Sequence, residues 1–212
     1  MMILKIAGTS VVLATALMAC SPAAEEPATE ETAAVETAGT FVPADFEVPV
    51  LVEGDGFKLV PLGPDLVDID YAAYMSSIEH LQQTFTRSTS WPREGITDEE
   101  AMLDMETEQG RFLARESFAY GVLSPDGTRE LGSLYVRPSP VEGYDAVVMM
   151  WVTKADYDAG FDEKLYAWAQ EWVASEWPFA NVAWPGRAID WDSWDAMVAA
   201  EGEGPEDGSL GE

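Results

Sequence analysis

The sequence has little positive charge. Its 212 residues include 11 Lys and Arg against 39 Asp and Glu, which gives a formal net charge of −28. A nucleic-acid binder needs cations to displace the counterions of the phosphate backbone, so this balance excludes that class of protein. It also argues against unaided adsorption to anionic lipid. The apolar fraction of 47% and the 8 Trp residues exclude a wholly disordered acidic chain.

Cysteine and histidine are equally scarce. The single cysteine, Cys20, excludes an intrachain disulfide framework and a zinc site built on several thiolates. The single histidine, His80, excludes metal sites with several imidazoles, and no Ser-His-Asp set can be argued from one His. No metal site is therefore expected. For His80, a surface or helix-capping role is favoured over a catalytic one.

The first 20 residues have the pattern of a secretory signal. A short basic start, Met1 to Lys5, precedes an uncharged stretch, 6–19, that is too short for a permanent membrane span. The stretch ends in Leu17-Met18-Ala19-Cys20, which resembles the bacterial lipobox, although Met is unusual at its position. The resemblance implies removal of 1–19 and anchoring by acyl chains on Cys20, with about 0.8 kcal/mol per buried CH₂. A plain secretory signal, or a buried apolar segment, are the alternatives.

Two acidic flanks surround the predicted domain. Residues 20–55 are expected to be the lipidated Cys and a disordered linker, because 21–40 contain Ala, Glu, Thr and Pro with a single Val. Residues 196–212 are expected to be an acidic disordered tail. These assignments predict a lipoprotein of the bacterial envelope. Ser21 in place of Asp favours the periplasmic face of the outer membrane, whereas an uncleaved amino terminus would imply a cytoplasmic protein.

The middle of the chain has alternating and helical periods. Helical spacing over 66–85 and 162–176, and a capping box at Thr97 that opens a helix to about Arg115, predict three helices. Alternating or apolar runs predict strands at 57–62, 117–124, 130–137, 145–153 and 181–184. The three central strands should form an antiparallel meander, and the last strand should be a parallel neighbour of 145–153. The predicted fold class is α/β (α+β), a single mixed sheet with the order β-α-α-β-β-β-α-β.

This order, and the runs around Tyr120, Tyr135 and Val148, resemble the GNAT family of N-acetyltransferases. The runs are Ser117-Phe-Ala-Tyr-Gly-Val-Leu-Ser-Pro-Asp-Gly127, Leu131-Gly-Ser-Leu-Tyr-Val-Arg-Pro-Ser139 and Gly143-Tyr-Asp-Ala-Val-Val-Met-Met-Trp151. The resemblance implies a GNAT-like domain over 56–195. It also implies that acetyl-CoA, if bound, lies in a gap between strands 145–153 and 181–184, with its pyrophosphate on the helix that follows 145–153.

The corresponding donor loop lacks the family's motif. The family pattern is Gln/Arg-x-x-Gly-x-Gly/Ala, whereas residues 153–164 contain one Gly, Gly160, and no leading Gln or Arg. Four acids stand where two phosphates would lie, at positions 156, 158, 162 and 163, and only Lys154 and Lys164 offset them. The weak candidates for a donor site in this altered loop are Trp151, Val152, Thr153 and Gly160. No cofactor is therefore expected, and acetyl-CoA belongs to the alternative only.

Candidate catalytic and ligand-binding residues are few. By resemblance, Glu116 could act as a base and Tyr157 as an acid, although each could equally be a surface residue. A ligand groove could be formed by the aromatic residues Trp91 and Trp184 with Arg111 and Arg115, which are four residues apart on a helix. A packed aromatic cap and ordinary ion pairs are the alternatives for these residues.

Two functions remain open. The first is a degenerate GNAT-like domain that acts as a binding or structural module of an envelope lipoprotein, with the bilayer as partner through Cys20 and an unidentified envelope protein or small molecule as ligand. The second is an active N-acetyltransferase that transfers an acetyl group from acetyl-CoA to an amine. No nucleic-acid partner is expected for either.

Overall fold

The computed structural model describes residues 41–202. The predicted signal peptide, Cys20, and most of the predicted linker and tail lie outside these residues. Within them, no helix is both long and apolar enough to cross a bilayer.

The described residues form one six-stranded mixed sheet with helices on both faces, which confirms the predicted fold class. The strands are β1 (Val52–Gly54), β2 (Phe57–Pro61), β3 (Phe118–Leu123), β4 (Glu130–Pro138), β5 (Ala146–Val152) and β6 (Val182–Ala183). They lie in sequence order, each antiparallel to its neighbour except β6, which runs parallel to β5. The predicted meander and the parallel last strand are therefore present.

The helices are α1 (Val67–Met75), α2 (Ile78–Thr84), α3 (Asp98–Ala114), α4 (Lys154–Asp158), α5 (Phe161–Glu176) and α6 (Trp191–Ala200). The single helix expected over 66–85 is interrupted, because the Ser76 hydroxyl donates to the Ala73 carbonyl and competes with the helical backbone. The capping box at Thr97 is present with both hydrogen bonds. Neither α4 nor α6 was predicted.

The two faces of the sheet carry separate cores. On one face, α5 packs over β3, β4 and β5 with Leu165, Ala169, Trp172 and Val173 buried. On the other face, α1, α2 and α3 cover Ala119, Tyr135 and Trp151 together with their own apolar side chains. The alternation of side chains along β3 and β4 assigns each residue to one of these cores.

The predicted boundary of the disordered linker is wrong for residues 41–55. Val42 is fully buried, and the Phe41 ring stacks on Phe118 and Phe179 at centroid distances of 5.8 and 5.0 Å. The Arg115 guanidinium donates to the carbonyls of Pro43 and Phe46. Hydrophobic burial in this N-terminal segment (residues 41–51) outweighs its acidic composition. The predicted tail also begins too early, since α6 continues to Ala200.

Candidate functional site

A cavity of about 260 Å³ lies where β5 and β6 diverge. The two strands pair at only two register positions, Ala146 with Val182 and Val147 with Ala183, after which the chain turns at Pro185 and Gly186. Beyond Val147, β5 remains paired with β4 but has no strand partner on its β6 side within the described residues, and it lines the cavity from Val148 to Val152. The lining residues are His80, Gln83, Thr84, Phe85, Val148, Met149, Met150, Trp151, Val152, Tyr157, Asp162, Pro185, Gly186, Arg187 and Trp191.

One wall comes from α2 and α4. His80, Gln83 and Thr84 share one face of α2 because they are three and four residues apart. The His80 ring lies 4.8 Å from the Tyr157 ring of α4, centroid to centroid. Burial lowers the pKa of His80, and the neighbouring Lys154 lowers it further, while Asp162, Asp158 and a hydrogen bond to the Val152 backbone act in the opposite direction. His80 is therefore a neutral imidazole at pH 7.

The start of α5 is occupied by an ion pair between a buried carboxylate and a partly exposed guanidinium. Asp162 lies in the first turn of this helix and is 5% exposed. The Arg187 guanidinium donates to both of its carboxylate oxygens, with Nη2 2.7 Å from Oδ1. This bonding to Asp162 raises the pKa of Arg187. The helix dipole and the guanidinium, which could both attract an anion, are thus already neutralised by a carboxylate of the chain.

The segment predicted as an altered donor loop is mostly helical. Thr153 caps α4 by accepting the N–H of Asp156, and its backbone N–H donates to Leu131. Gly160 adopts a left-handed φ of 81° between α4 and α5, a conformation that favours glycine. Trp151 and Val152 line the cavity, whereas Thr153 and Gly160 do not.

The acids of this segment are mostly paired. Asp156 binds Arg129 and Asp158 binds Lys154, in addition to the pair of Asp162 with Arg187. Lys164, expected to offset charge here, instead binds Asp55 next to β1. The salt bridges leave little net charge of either sign at the start of α5.

The outer wall is Trp191, the first residue of α6. Its ring packs on Gly186 so closely that a Cβ there would lie 2.5 Å from ring atoms. The Arg87 guanidinium covers the ring at 4.2 Å from its centroid and makes two hydrogen bonds to Asp195, at 2.6 and 2.9 Å. Arg87 thereby links the chain after α2 to α6, the helix that supplies the lining residue Trp191.

The two candidate catalytic residues are separated. Tyr157 lines the cavity and is 45% exposed. Glu116 lies after α3, is exposed, and is not among the lining residues. Glu116 lies between α3 and β3 and Tyr157 lies in α4, so no local sequence spacing relates the two residues.

The four residues of the predicted groove are also not brought together. The Trp91 ring packs on Tyr74 at 5.1 Å, in the core under α1. Trp184 packs on Tyr166 at 5.5 Å, in the core under α5 on the other face. The Arg111 guanidinium binds Glu108. Arg115 follows α3 in a left-handed conformation, so the four-residue helical spacing to Arg111 does not align the two side chains.

A buried carboxyl pair was missed by the sequence analysis. Asp70 of α1 and Glu130 of β4 are 4% and 1% exposed and hydrogen bond to each other, and the Ser133 hydroxyl donates to Glu130 at 2.7 Å. Burial, and then the charge of Asp104, raise the pKa of Asp70 to about 8, and burial also raises that of Glu130. The signal that could have revealed this pair was Glu130, an acid at the start of the apolar strand β4.

No group of residues in 41–202 has the composition and geometry to hold a metal ion. The cavity instead offers a neutral imidazole, a phenol, two indoles and a neutralised ion pair. These groups suit hydrogen bonding and aromatic contact. They include no pair of titratable side chains with separated acid and base roles.

Comparison with known proteins gives structural likenesses only. No protein-family model and no curated protein matches the chain. The ribosomal-protein-S5-alanine acetyltransferase of Vibrio fischeri is 11% identical, with a TM-score of 0.45 over 59% of this chain and 67% of that one. A protein assigned to the GNAT acetyltransferases from Bordetella pertussis is 18% identical, with a TM-score of 0.41 over 59% and 72%. Similar solved structures thus include acetyltransferases, without identifying an activity here.

Proposed function

We propose that the protein is a lipoprotein of the bacterial envelope whose GNAT-like domain is a non-catalytic binding module. The position of Cys20 at the end of the signal-like stretch, followed at once by polar sequence, supports the anchor. The cavity beside β5 is the ligand site. The bilayer is the partner of the amino terminus, and the outer membrane is the favoured location.

The ion pair of the buried Asp162 with Arg187 is the observation that carries the non-catalytic proposal. An acyl-CoA donor, in the family that the sequence resembles, places its pyrophosphate at the start of the helix corresponding to α5. Here a carboxylate already takes the helix dipole and both guanidinium branches. A bound pyrophosphate would have to separate this pair and leave Asp162 buried without its cation, which costs several kcal/mol.

Titration with acetyl-CoA tests this function. Trp151 and Trp191 line the cavity, so their fluorescence reports whether it is occupied. A ligand that binds only the folded chain also raises its Tm. We expect no saturable fluorescence change and no shift in Tm up to millimolar acetyl-CoA. Saturable binding at micromolar concentration, together with acetyl transfer to an amine, would refute the binding-module proposal and support an active N-acetyltransferase.

An active N-acetyltransferase is the second candidate because the cavity lies in the β5–β6 gap and contains Tyr157, which could protonate a leaving thiolate. This reading predicts that Tyr157→Phe lowers turnover without changing the affinity for acetyl-CoA. The binding-module proposal predicts no turnover for either form. An acetyl-transfer assay on both proteins, with a panel of primary amines, separates the two functions.

Mass spectrometry of the mature amino terminus tests the anchor. The proposal predicts that protein extracted from bacterial membranes begins at Cys20 and carries the mass of its acyl chains. The Cys20→Ala variant should lose this mass and leave the membrane fraction. A mature protein that begins at an unmodified Met1 would end the lipoprotein proposal and favour a cytoplasmic location.

A further inference from the structure

The edge of β5 beside the cavity is an unpaired strand edge. Pairing with β6 ends at Val147. The N–H of Thr153 donates to Leu131 on the β4 side, so alternation along the strand directs the N–H and C=O of Met150 away from β4. Among residues 41–202 no strand partner meets Met150 on that side. Buried backbone groups without partners are costly, and a ligand can satisfy them.

The cavity runs along this edge. Val148 to Val152 line it from β5, and Pro185, Gly186 and Trp191 line it from the chain after β6. Its volume of about 260 Å³ is near the lower end of the range for small-ligand pockets. A ligand that accepts from one N–H and donates to the C=O of the same residue is an extended chain with amide groups, as in strand addition to a sheet edge.

No unpaired Lys or Arg lines the cavity within residues 41–202, so nothing in its lining attracts an anion. The cations nearest the lining are all paired, Arg187 with Asp162, Lys154 with Asp158 and Arg87 with Asp195. Two acids that adjoin lining residues, Glu79 beside His80 and Asp192 beside Trp191, have no cation partner within residues 41–202. The local field therefore favours a neutral or basic ligand.

We propose that the cavity binds a short extended peptide, neutral or basic, whose backbone pairs with Met150 of β5. The indole of Trp191 and the phenol of Tyr157 flank its side chains. This inference rests on the proposed binding function and names the class of ligand for that same cavity.

Three blocked tripeptides on the full chain test the proposal. The probes are acetyl-Ala-Lys-Ala-amide, the same peptide with an N-methylated backbone, and acetyl-Ala-Glu-Ala-amide. Amide spectra by NMR should show saturable shifts at Met150 and at the indole N–H of Trp191 with the lysine peptide. N-methylation removes the donor to strand pairing and should weaken binding roughly tenfold, about the effect of one hydrogen bond. The glutamate peptide should bind more weakly than the lysine peptide.

A matched pair of variants locates the site. Gln83 lines the cavity and is exposed on α2, and Gln170 is exposed on α5 away from it. Gln83→Phe should abolish the peptide-dependent shifts, whereas Gln170→Phe should retain them. Both changes add the same ring to an exposed helical surface, so a difference between them reports the cavity and not general stability.

The contrary results are distinct from a failure of the proposed function. Equal affinity for the methylated and unmethylated peptides, or shifts unaffected by Gln83→Phe, overturns pairing with Met150 and leaves a binding module with a different ligand. Saturable binding of pantetheine, with no response to any of the three peptides, also overturns the peptide proposal. It would show that the cavity binds a different chain with amide groups. Acetyl transfer in the assay above would instead overturn the proposed function itself.

Discussion

At the scale of single residues, the buried pair Asp70 and Glu130 is the most unusual feature of the domain. Two carboxyl groups share one hydrogen bond in an interior where neither has a basic partner, and Glu130 Oε2 has no hydrogen-bond partner within the described residues. Such a pair is stable only when it retains a proton. The consequence is a dependence of stability on pH.

The pKa of Asp70 is about 8 in the folded chain, against 3.8 ordinarily. Between these values the folded chain binds a proton that the unfolded chain releases, so stability is present below pH 4 and is lost as the pH rises through 8. We expect the free energy of unfolding to fall between pH 5 and pH 8 by at least about 1.4 kcal/mol, the equivalent of one pKa unit. Urea unfolding across this range measures the change.

Asp70→Asn should reduce this slope, because it removes one of the two buried carboxyl groups that share the proton and keeps a hydrogen-bonding side chain beside Glu130. Asp68→Asn is the matched control, since Asp68 is exposed on the same helix. Burial also raises the pKa of Asp104, to about 6, so Asp104 likewise lowers stability as the pH rises. The lowered pKa of His80 has the opposite effect on stability. Both groups are present in each variant, so the difference between the variants reports Asp70. An unchanged slope in Asp70→Asn would refute this assignment.

At the scale of elements, the sequence predicted the regular parts of the sheet and the long helices. Strands β3, β4 and β5 were found because their apolar runs are bounded by turn residues, and α3 because Thr97 and Glu100 form a capping box. The parallel strand β6 followed from the crossover rule.

Three elements could not be predicted from local pattern. Strand β1 has three residues and no alternation to detect. Helix α4 has five residues, and its acids were interpreted as a loop that repels phosphate. Helix α6 depends on tertiary contacts, namely the Arg87–Asp195 pair and the packing of Trp194 on Tyr144. The cavity itself depends on α6, so the site could not be assembled from the sequence.

The N-terminal segment should contribute to stability although its sequence resembles a linker. Val42 is fully buried in the core under α5, and Val50 is 65% exposed near the end of the same segment. We expect Val42→Ala to lower the free energy of unfolding by about 2 kcal/mol, and Val50→Ala to change it by less than about 0.5 kcal/mol. Equal effects of the two substitutions, measured by urea unfolding, would mean that the segment does not pack in solution.

The link from the end of α2 to α6 should control the motion of the outer cavity wall. Arg87→Ala removes two hydrogen bonds to Asp195 and the stack on Trp191. We expect a loss of about 1 kcal/mol and faster hydrogen exchange confined to α6. Arg93→Ala, which removes an exposed pair with Glu100, is the control and should leave exchange in α6 unchanged. Uniformly faster exchange throughout the domain would contradict a local role.

At the scale of the whole molecule, the charge lies largely on the folded part. Residues 41–202 contain 30 acids and 10 bases, a net charge of −20 out of −28. The predicted disordered flanks, 20–55 and 196–212, included residues 41–55 and 196–202, which the structure describes. These two stretches contain five of the 30 acids, namely Asp45, Glu47, Glu53, Asp55 and Glu201.

This charge predicts a stabilising effect of salt. Self-repulsion of −20 on one domain is screened when NaCl rises from about 0.05 to 0.5 M, since the Debye length falls below 10 Å. We expect Tm to rise by several degrees over this range. A fall in Tm would show that the eight salt bridges within residues 41–202 outweigh the repulsion among unpaired acids.

The packing of the N-terminal segment also has a mechanical meaning. A tension applied upstream of Phe41 reaches the domain through the stack on Phe118 first, then through the bonds from Arg115, and last through the bond from Tyr120 to Pro49. These contacts would break one after another and not together. Peeling the 11 residues would lengthen the chain by about 36 Å before the sheet bears any force. The segment would thus detach and extend under tension before the ligand cavity is deformed.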